Sequence, residues 1–265
     1  MDLEGKHVVY VADCGGIAYE TCKVLVTKKI AKLAILHSIE NPQAIAQLQA
    51  LNPKTQIFFW KFDFTMTRSE MQRYFDDVMT QMDYIDILVN GSTLCKEQDV
   101  DATININLAA PINIITCVLP YMDKSTEMGR GGMIVNINSV TGLDPSPVFC
   151  VYSAAKFGVL GFTRSLAHPI YYDKTGVAVM AICCGPTKTF IRHTMKAFLE
   201  YGQEYVDKLK GAPCQETAVC ARNIVRAIEM GSNGQIWLAD NDRLDIVKPQ
   251  LYWQMSEELI EYMER

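Results

Sequence analysis

HVVYVADCGGIA, residues 7–18, is the stretch whose reading decides the fold. It opens with an unbroken apolar run from His7 to Ala12, with the length and character of a strand buried on both faces. Two glycines, Gly15 and Gly16, interrupt the run, and a helical pattern then continues to about residue 29. A buried strand, a glycine turn and a helix in direct succession are the opening of a βαβ unit.

The same rhythm runs outward along the chain. KLAILH (32–37), TQIFFWKFD (55–63), YIDILVN (84–90), GMIVNINS (132–139), VAVMAICC (177–184) and GQIWLAD (234–240) read as further strands. Helical patterns lie between them, near 44–51, 70–82, 102–122, 152–171 and 215–230. Seven apolar strands with helical crossovers predict a parallel sheet covered on both faces, the doubly wound (Rossmann-type) α/β fold. Such sheets bind ligands outside the carboxyl ends of their strands. No repeat, low-complexity segment or Gly/Pro linker divides the chain, so residues 1–253 read as one domain and 254–265 as a tail. The segment 187–213 breaks the rhythm. It leaves a strand's carboxyl end and carries Phe190, Met195, Phe198, Leu199, Tyr201 and Tyr205. A connection of that length is either a lid on the substrate side or a set of surface helices packed on the body.

Composition narrows the function classes. Hydrophobic residues make up 49% and charged residues 21% of 265, a globular balance. The net charge of −5 and the lack of a basic run argue against nucleic acid or an anionic membrane as partner. MDLEGKHVVY lacks a signal-peptide layout, and no apolar run reads as approaching the roughly 20 residues of a bilayer span. Nine cysteines show neither C-x-x-C nor zinc-finger spacing. The expectation is a soluble cytoplasmic protein with reduced, buried thiols and no metal.

The chemistry is concentrated near residue 150. Tyr152 and Lys156 lie four apart at a helix start and so share one face. Ser139, thirteen positions earlier, ends a strand whose carboxyl edge meets that helix start. A phenol titrates near pH 10, and an adjacent ammonium is expected to lower that value. Ser139 can hydrogen-bond a substrate oxygen while Tyr152 takes its proton. A Tyr-x-x-x-Lys pair by itself arises by chance in many helices; beside Ser139 and the glycine turn it acquires weight.

These motifs resemble the short-chain dehydrogenase/reductase superfamily, and within it the insect-type alcohol dehydrogenase lineage. GGI (15–17), IENP (39–42), QLQALNP (47–53), DILVNG (86–91), GGMIVNINSVTG (131–142) and GFTRSLA (161–167) carry the likeness. The resemblance implies a catalytic set of Ser139, Tyr152 and Lys156, with Tyr152 as proton acceptor in alcohol oxidation. Asn107 matches an asparagine that holds a water on the proton path to the lysine. The resemblance further implies an NAD site made by the turn at Asp13, Gly15, Gly16 and Ile17, and by His37 at the end of the second strand. Asp63 would meet the adenine amino group, Asn90 and Gly91 the adenine ribose, and Thr187 the nicotinamide carboxamide. A small alcohol or carbonyl compound is the implied substrate. Pro145, Pro147, Val148 and Phe149 would shape its apolar pocket. A homodimer through the helices near 102–122 and 152–171 is implied as well.

The nucleotide-holding positions depart from that pattern. Asp13 stands where the first glycine of the turn belongs, and Ala18 where the last does. A carboxylate about 5 Å from a phosphate repels it by ~3 kcal/mol at an effective dielectric near 20. His37 replaces the acid that accepts the ribose hydroxyls, a loss of ~1.5–3 kcal/mol, unless it is only an exposed loop residue. Together these amount to roughly three decades of affinity. Cys183, Cys184 and Gly185 stand for an Asn-Pro-Gly, and Ser92 and Thr93 for an Ala-Gly. Two readings stay open: a working NAD(H)-linked oxidoreductase, or a fold kept for binding after turnover was lost.

Overall fold

The computed structural model describes residues 1–12 and 15–248. Its strands are β1 (His7–Val11), β2 (Lys32–His37), β3 (Gln56–Lys61), β4 (Ile87–Asn90), β5 (Gly132–Ser139), β6 (Val177–Cys184), β7 (Ile236–Asp240) and β8 (Arg243–Val247). They form one sheet in the order β3-β2-β1-β4-β5-β6-β7-β8. The first seven pair in parallel. The chain order reverses between β1 and β4, and the carboxyl ends of these two strands flank the crevice of the doubly wound sheet.

HVVYV is apolar throughout because both of its faces are covered. Val8 and Tyr10 join one core with Leu33 and Ile35, while Val9 and Val11 join the opposite core with Ala34 and Leu36. The first core is closed by α1 (Gly16–Thr27), α2 (Pro42–Leu51) and α10 (Thr217–Met230). The second is closed mainly by α3 (Arg68–Met82), α5 (Ala110–Met122) and α6 (Cys150–Leu166). Local signals set the helix starts. Asn41 caps α2 ahead of Pro42, and Thr67 with Glu70 forms a reciprocal capping box on α3.

Four features differ from the sequence expectation. The sheet has eight strands, not seven, because β8 turns back antiparallel on β7 through Asn241 and Asp242. Asn241 adopts φ +51°, a left-handed conformation that asparagine tolerates in tight hairpins. RLDIV escapes a search for continuous apolar runs because it is an edge strand in which Arg243 and Asp245 interrupt the apolar residues. The helix near 102–122 is α4 (Val100–Ile104), a π turn over Asn105–Ala109, then α5. Taken together, Val100–Met122 is long and apolar enough, by length and composition, to cross a bilayer. This corrects the reading that no run approaches that length; here Ile114, Ile115, Cys117 and Val118 are buried against the sheet and α3. The helix near 152–171 ends at Leu166, and α7 (Pro169–Thr175) restarts after His168, because Pro169 has no N–H to continue the ladder.

The 187–213 segment folds as α8 (Ile191–Thr194), a 3₁₀ turn over Glu200–Gly202 and α9 (Gln203–Gly211). It packs on the body through a third apolar cluster, in which Met195, Ala197 and Val206 meet Cys95, Val148 and Phe149. Val148 and Phe149 therefore fill a core, while Pro145 and Pro147 are exposed. The guanidinium of Arg192 donates to the carbonyls of Leu209 (2.8 Å), Lys210 (3.0 Å) and Ala212, tying α8 to the end of α9. The 254–265 tail lies outside the described residues.

Candidate active site

Ser139 closes β5, and Tyr152 and Lys156 stand on the first turns of α6. Helical spacing puts Lys156 Nζ 5.4 Å above the centre of the Tyr152 ring. The Tyr152 hydroxyl lies 3.2 Å from Thr93 Oγ1, and the Ser139 side chain acts on it from the end of β5. Ser139 Oγ in turn accepts from Thr141 N–H (3.2 Å) and from the Thr141 hydroxyl (3.0 Å).

Asn107 sits in the π turn between α4 and α5, an irregularity frequent at functional sites. Its Nδ2 donates to the carbonyls of Leu94 (2.6 Å) and Thr103 (2.7 Å). Its Oδ1 accepts from the Thr93 hydroxyl (3.0 Å) and from Leu94 N–H (3.2 Å). A carboxamide offers two donors and two acceptor sites. All four are used within the protein, so the side chain has none left for the water that the resemblance implied. It reaches the phenol through Thr93 instead.

Glu97 is a residue the sequence reading passed over. It is fully buried, and its two carboxylate oxygens accept from Val151 N–H and Tyr152 N–H at 2.9 Å each. The N-cap of α6, Phe149, supplies no side-chain bond. A carboxylate from the segment after β4 therefore caps the helix that carries Tyr152 and Lys156. A glutamate in a loop seven residues after a strand carries no signal of this at the sequence level.

The electrostatics run against one expectation. Burial pushes the Tyr152 phenol well above its ordinary value, and the hydrogen bonds from Thr93 and Ser139 only partly oppose that. The Lys156 ammonium does not offset that rise: it lies over the ring face and directs Nζ to the carbonyl of Ile137 (3.4 Å). Burial also brings Lys156 down from 10.5 to about 8, while the thiols of Cys184, Cys183 and Cys95 act in the other direction. Among the described residues, Cys95, Cys117, Cys183, Cys184 and Cys220 are buried thiols outside any disulfide.

The expected nucleotide-binding positions lie along the same sheet edge. Gly15 is the extended N-cap of α1, which has no side-chain cap, and Gly16 adopts φ +50°. Ile17 follows, half-buried. Asp13 lies outside the described residues. A Cβ on Gly91 would sit 2.7 Å from the Tyr10 ring, so the chain passes β1 closely there. Asn90 Nδ2 donates to Asn136 Oδ1 (2.9 Å), while its buried Oδ1 has no hydrogen-bond partner among the described residues. Such an orphan costs ~1–3 kcal/mol unless a ligand supplies the donor. Thr187 is buried and donates to the carbonyl of Gly185 (2.8 Å). At the far side, His37 ends β2 with its ring edge-on to Phe64, centroids 6.0 Å apart, and Nδ1 accepting from Ile39 N–H (3.2 Å). Asp63 is exposed and holds Thr65 through N–H (2.8 Å) and hydroxyl (2.7 Å), bonds that keep its carboxyl below the usual range. A helix start with glycine at its N-cap, a left-handed glycine and a buried acceptor that lacks a donor among the described residues fit a dinucleotide laid across the β1–β4 switch point.

Comparison with known proteins agrees with this architecture. The chain is 64% identical to the alcohol dehydrogenase-related 31 kDa protein of Drosophila immigrans over 262 residues, 99% of this chain and 96% of that one. The fold is similar to that of levodione reductase (TM-score 0.74, 21% identity, covering 90% of this chain and 97% of that one). It is also similar to that of the 3-oxoacyl-[acyl-carrier protein] reductase from Brucella melitensis in complex with NAD (TM-score 0.73, 21% identity, 89% and 96%). The short chain dehydrogenase family model matches residues 6–200, and the chain belongs to that family.

Proposed function

We propose that this chain is an oxidoreductase that interconverts a small alcohol and its ketone or aldehyde with NAD(H). The observation that carries the reading is the Tyr152 hydroxyl, 3.2 Å from Thr93 Oγ1 and beneath Lys156, at the sheet edge that ends in Ser139 and also presents the glycine turn. When bound, the nicotinamide supplies hydride transfer. Gly15, Gly16 and Ile17 would hold its diphosphate, Asn90 and Gly91 the ribose side, and Thr187 the carboxamide. Ser139 would hydrogen-bond the substrate oxygen; the protonated Tyr152 would give its proton to that oxygen in carbonyl reduction, and in alcohol oxidation its phenolate, the phenol proton having first gone to solvent, would take the alcohol proton. Lys156, about 8, is mainly an ammonium at neutral pH and so favours the phenolate as it forms. The apolar cluster of Met195, Ala197 and Val206 packs against Tyr152, a flank that suits a small, weakly polar substrate.

Two further elements belong to the reading. A homodimer would pair α5 and α6 with their copies: Ala154, Phe157 and Gly161 form an exposed small-and-apolar stripe on α6, and a Cβ on Gly161 would meet no neighbour. The location proposed is the cytoplasm, for which the buried thiols outside disulfides are the support. Turnover of secondary alcohols with NAD, measured against Tyr152→Phe, tests the activity; equal rates would overturn it. Calorimetry with NAD, NADH and NADP tests the cofactor. Asp13→Gly is expected to tighten NAD by at least about tenfold, from the charge repulsion alone. An unchanged affinity would mean that this carboxylate does not act on the diphosphate.

A further inference from the structure

Thr93 is placed where one hydroxyl has two claimants. Its Oγ1 is 3.0 Å from Asn107 Oδ1 and 3.2 Å from the Tyr152 hydroxyl. A threonine has one proton to give. Asn107 Oδ1 is an acceptor only, so in the resting state the Thr93 proton goes there, and Thr93 accepts from the Tyr152 O–H. Once Tyr152 has lost its proton the phenolate is an acceptor too, and the same hydroxyl must rotate to serve it. Asn107 can release it without being orphaned, because Oδ1 keeps the N–H of Leu94 at 3.2 Å. Its two donors remain on Leu94 and Thr103, so the amide does not flip.

We propose that Thr93 is a positioning residue for Tyr152: its hydroxyl donates to Asn107 while Tyr152 is protonated, and turns to donate to Tyr152 once that proton has left. No bond to carbon changes and no net proton moves through Thr93. Only its O–H direction alternates. That Tyr152 loses and regains a proton in turnover rests on the oxidoreductase reading; the hydrogen-bond exchange itself does not. The groups facing the phenol are Thr93 and Cys95 from the segment after β4, Ser139 from β5, Cys184 from β6 and Lys156 from its own helix. Of these, Thr93 lies within hydrogen-bond distance of the phenol oxygen, while Ser139 Oγ is engaged by Thr141.

The test places a fluorinated tyrosine, which titrates near neutrality, at position 152 of the full chain and follows its fluorine resonance with pH. Thr93→Val keeps the shape and removes the hydroxyl; Thr93→Ser keeps the hydroxyl and removes the methyl. Loss of a hydrogen bond to the charged form is expected to raise the titration midpoint by about one unit, a tenfold change, in Thr93→Val. Thr93→Ser is expected to stay within about 0.3 unit of the parent. Thr93→Ala, which cannot overpack, must follow Thr93→Val. A midpoint unmoved in Thr93→Val, or moved equally in Thr93→Ser, overturns the proposal. Turnover is read separately: a wild-type chain that oxidises no alcohol brings down the oxidoreductase reading, and the fluorine titration still decides Thr93.

Discussion

Replacing Glu97 by glutamine changes one atom and should be felt across the whole candidate site. The carboxylate is fully buried and each oxygen holds one backbone N–H at 2.9 Å, on Val151 and Tyr152. Hydrogen bonds to a charged acceptor contribute about 1.5–3 kcal/mol each. Glutamine keeps one of them in neutral form and turns its NH₂ toward the other N–H, leaving a buried donor unpaired at a cost of ~1–3 kcal/mol. Relief of the buried charge offsets part of this, so the expected net loss is about 2–3 kcal/mol. For a chain of this size each kcal/mol moves the melting temperature by about 2–4 °C, which gives a fall of roughly 4–12 °C. Urea unfolding gives the free energy, and amide hydrogen exchange localises it, with faster exchange at Val151 and Tyr152 than elsewhere in α6. A Glu97→Gln protein that melts within about 1 °C of the parent and exchanges these two amides at the parental rate would refute the capping role.

Two further perturbations follow from burial and from the packing of the 187–213 segment. Burial takes Lys156 from 10.5 to about 8, so between those values the unfolded chain binds more protons than the folded one, and this lysine makes stability rise with pH. Lys156→Met should therefore add ~3 kcal/mol of unfolding free energy at pH 7, a gain that shrinks above about 8 and is gone near 10.5. Urea titrations across that window check it; a loss of stability at pH 7 would contradict it. Arg192→Ala removes the tie from α8 to the carbonyls ending α9, and proteolytic cleavage within 187–213 should accelerate while the global melting temperature moves by under about 4 °C. Cleavage at the parental rate would show that the apolar cluster alone holds the 187–213 segment.

Much of the fold was legible because its determinants are local. Gly132–Ser139 and Val177–Cys184 were readable to the residue: VAVMAICC is the continuous apolar run of a strand covered on both faces, and GMIVNINS begins as one before its two buried asparagines. The edge strand Arg243–Val247 was hidden because its outer positions carry charge. The π turn at Asn105–Ala109 is decided by what Asn107 must satisfy, and its bonds to Leu94 and Thr93 come from another segment.

The order of residues along the chain, through periodicity and turn chemistry, determined by itself a parallel sheet with helices on both faces and the pairing of Tyr152 with Lys156 on one helix. Tertiary structure decided what those groups experience. Desolvation depends on which segments pack above them, so the phenol rises and the ammonium falls although their spacing implied the reverse for the phenol. Hydrogen-bond partners such as Glu97 and Thr93 arrive from a loop more than fifty residues earlier, and only folding brings them within 3 Å or so of the helix they hold.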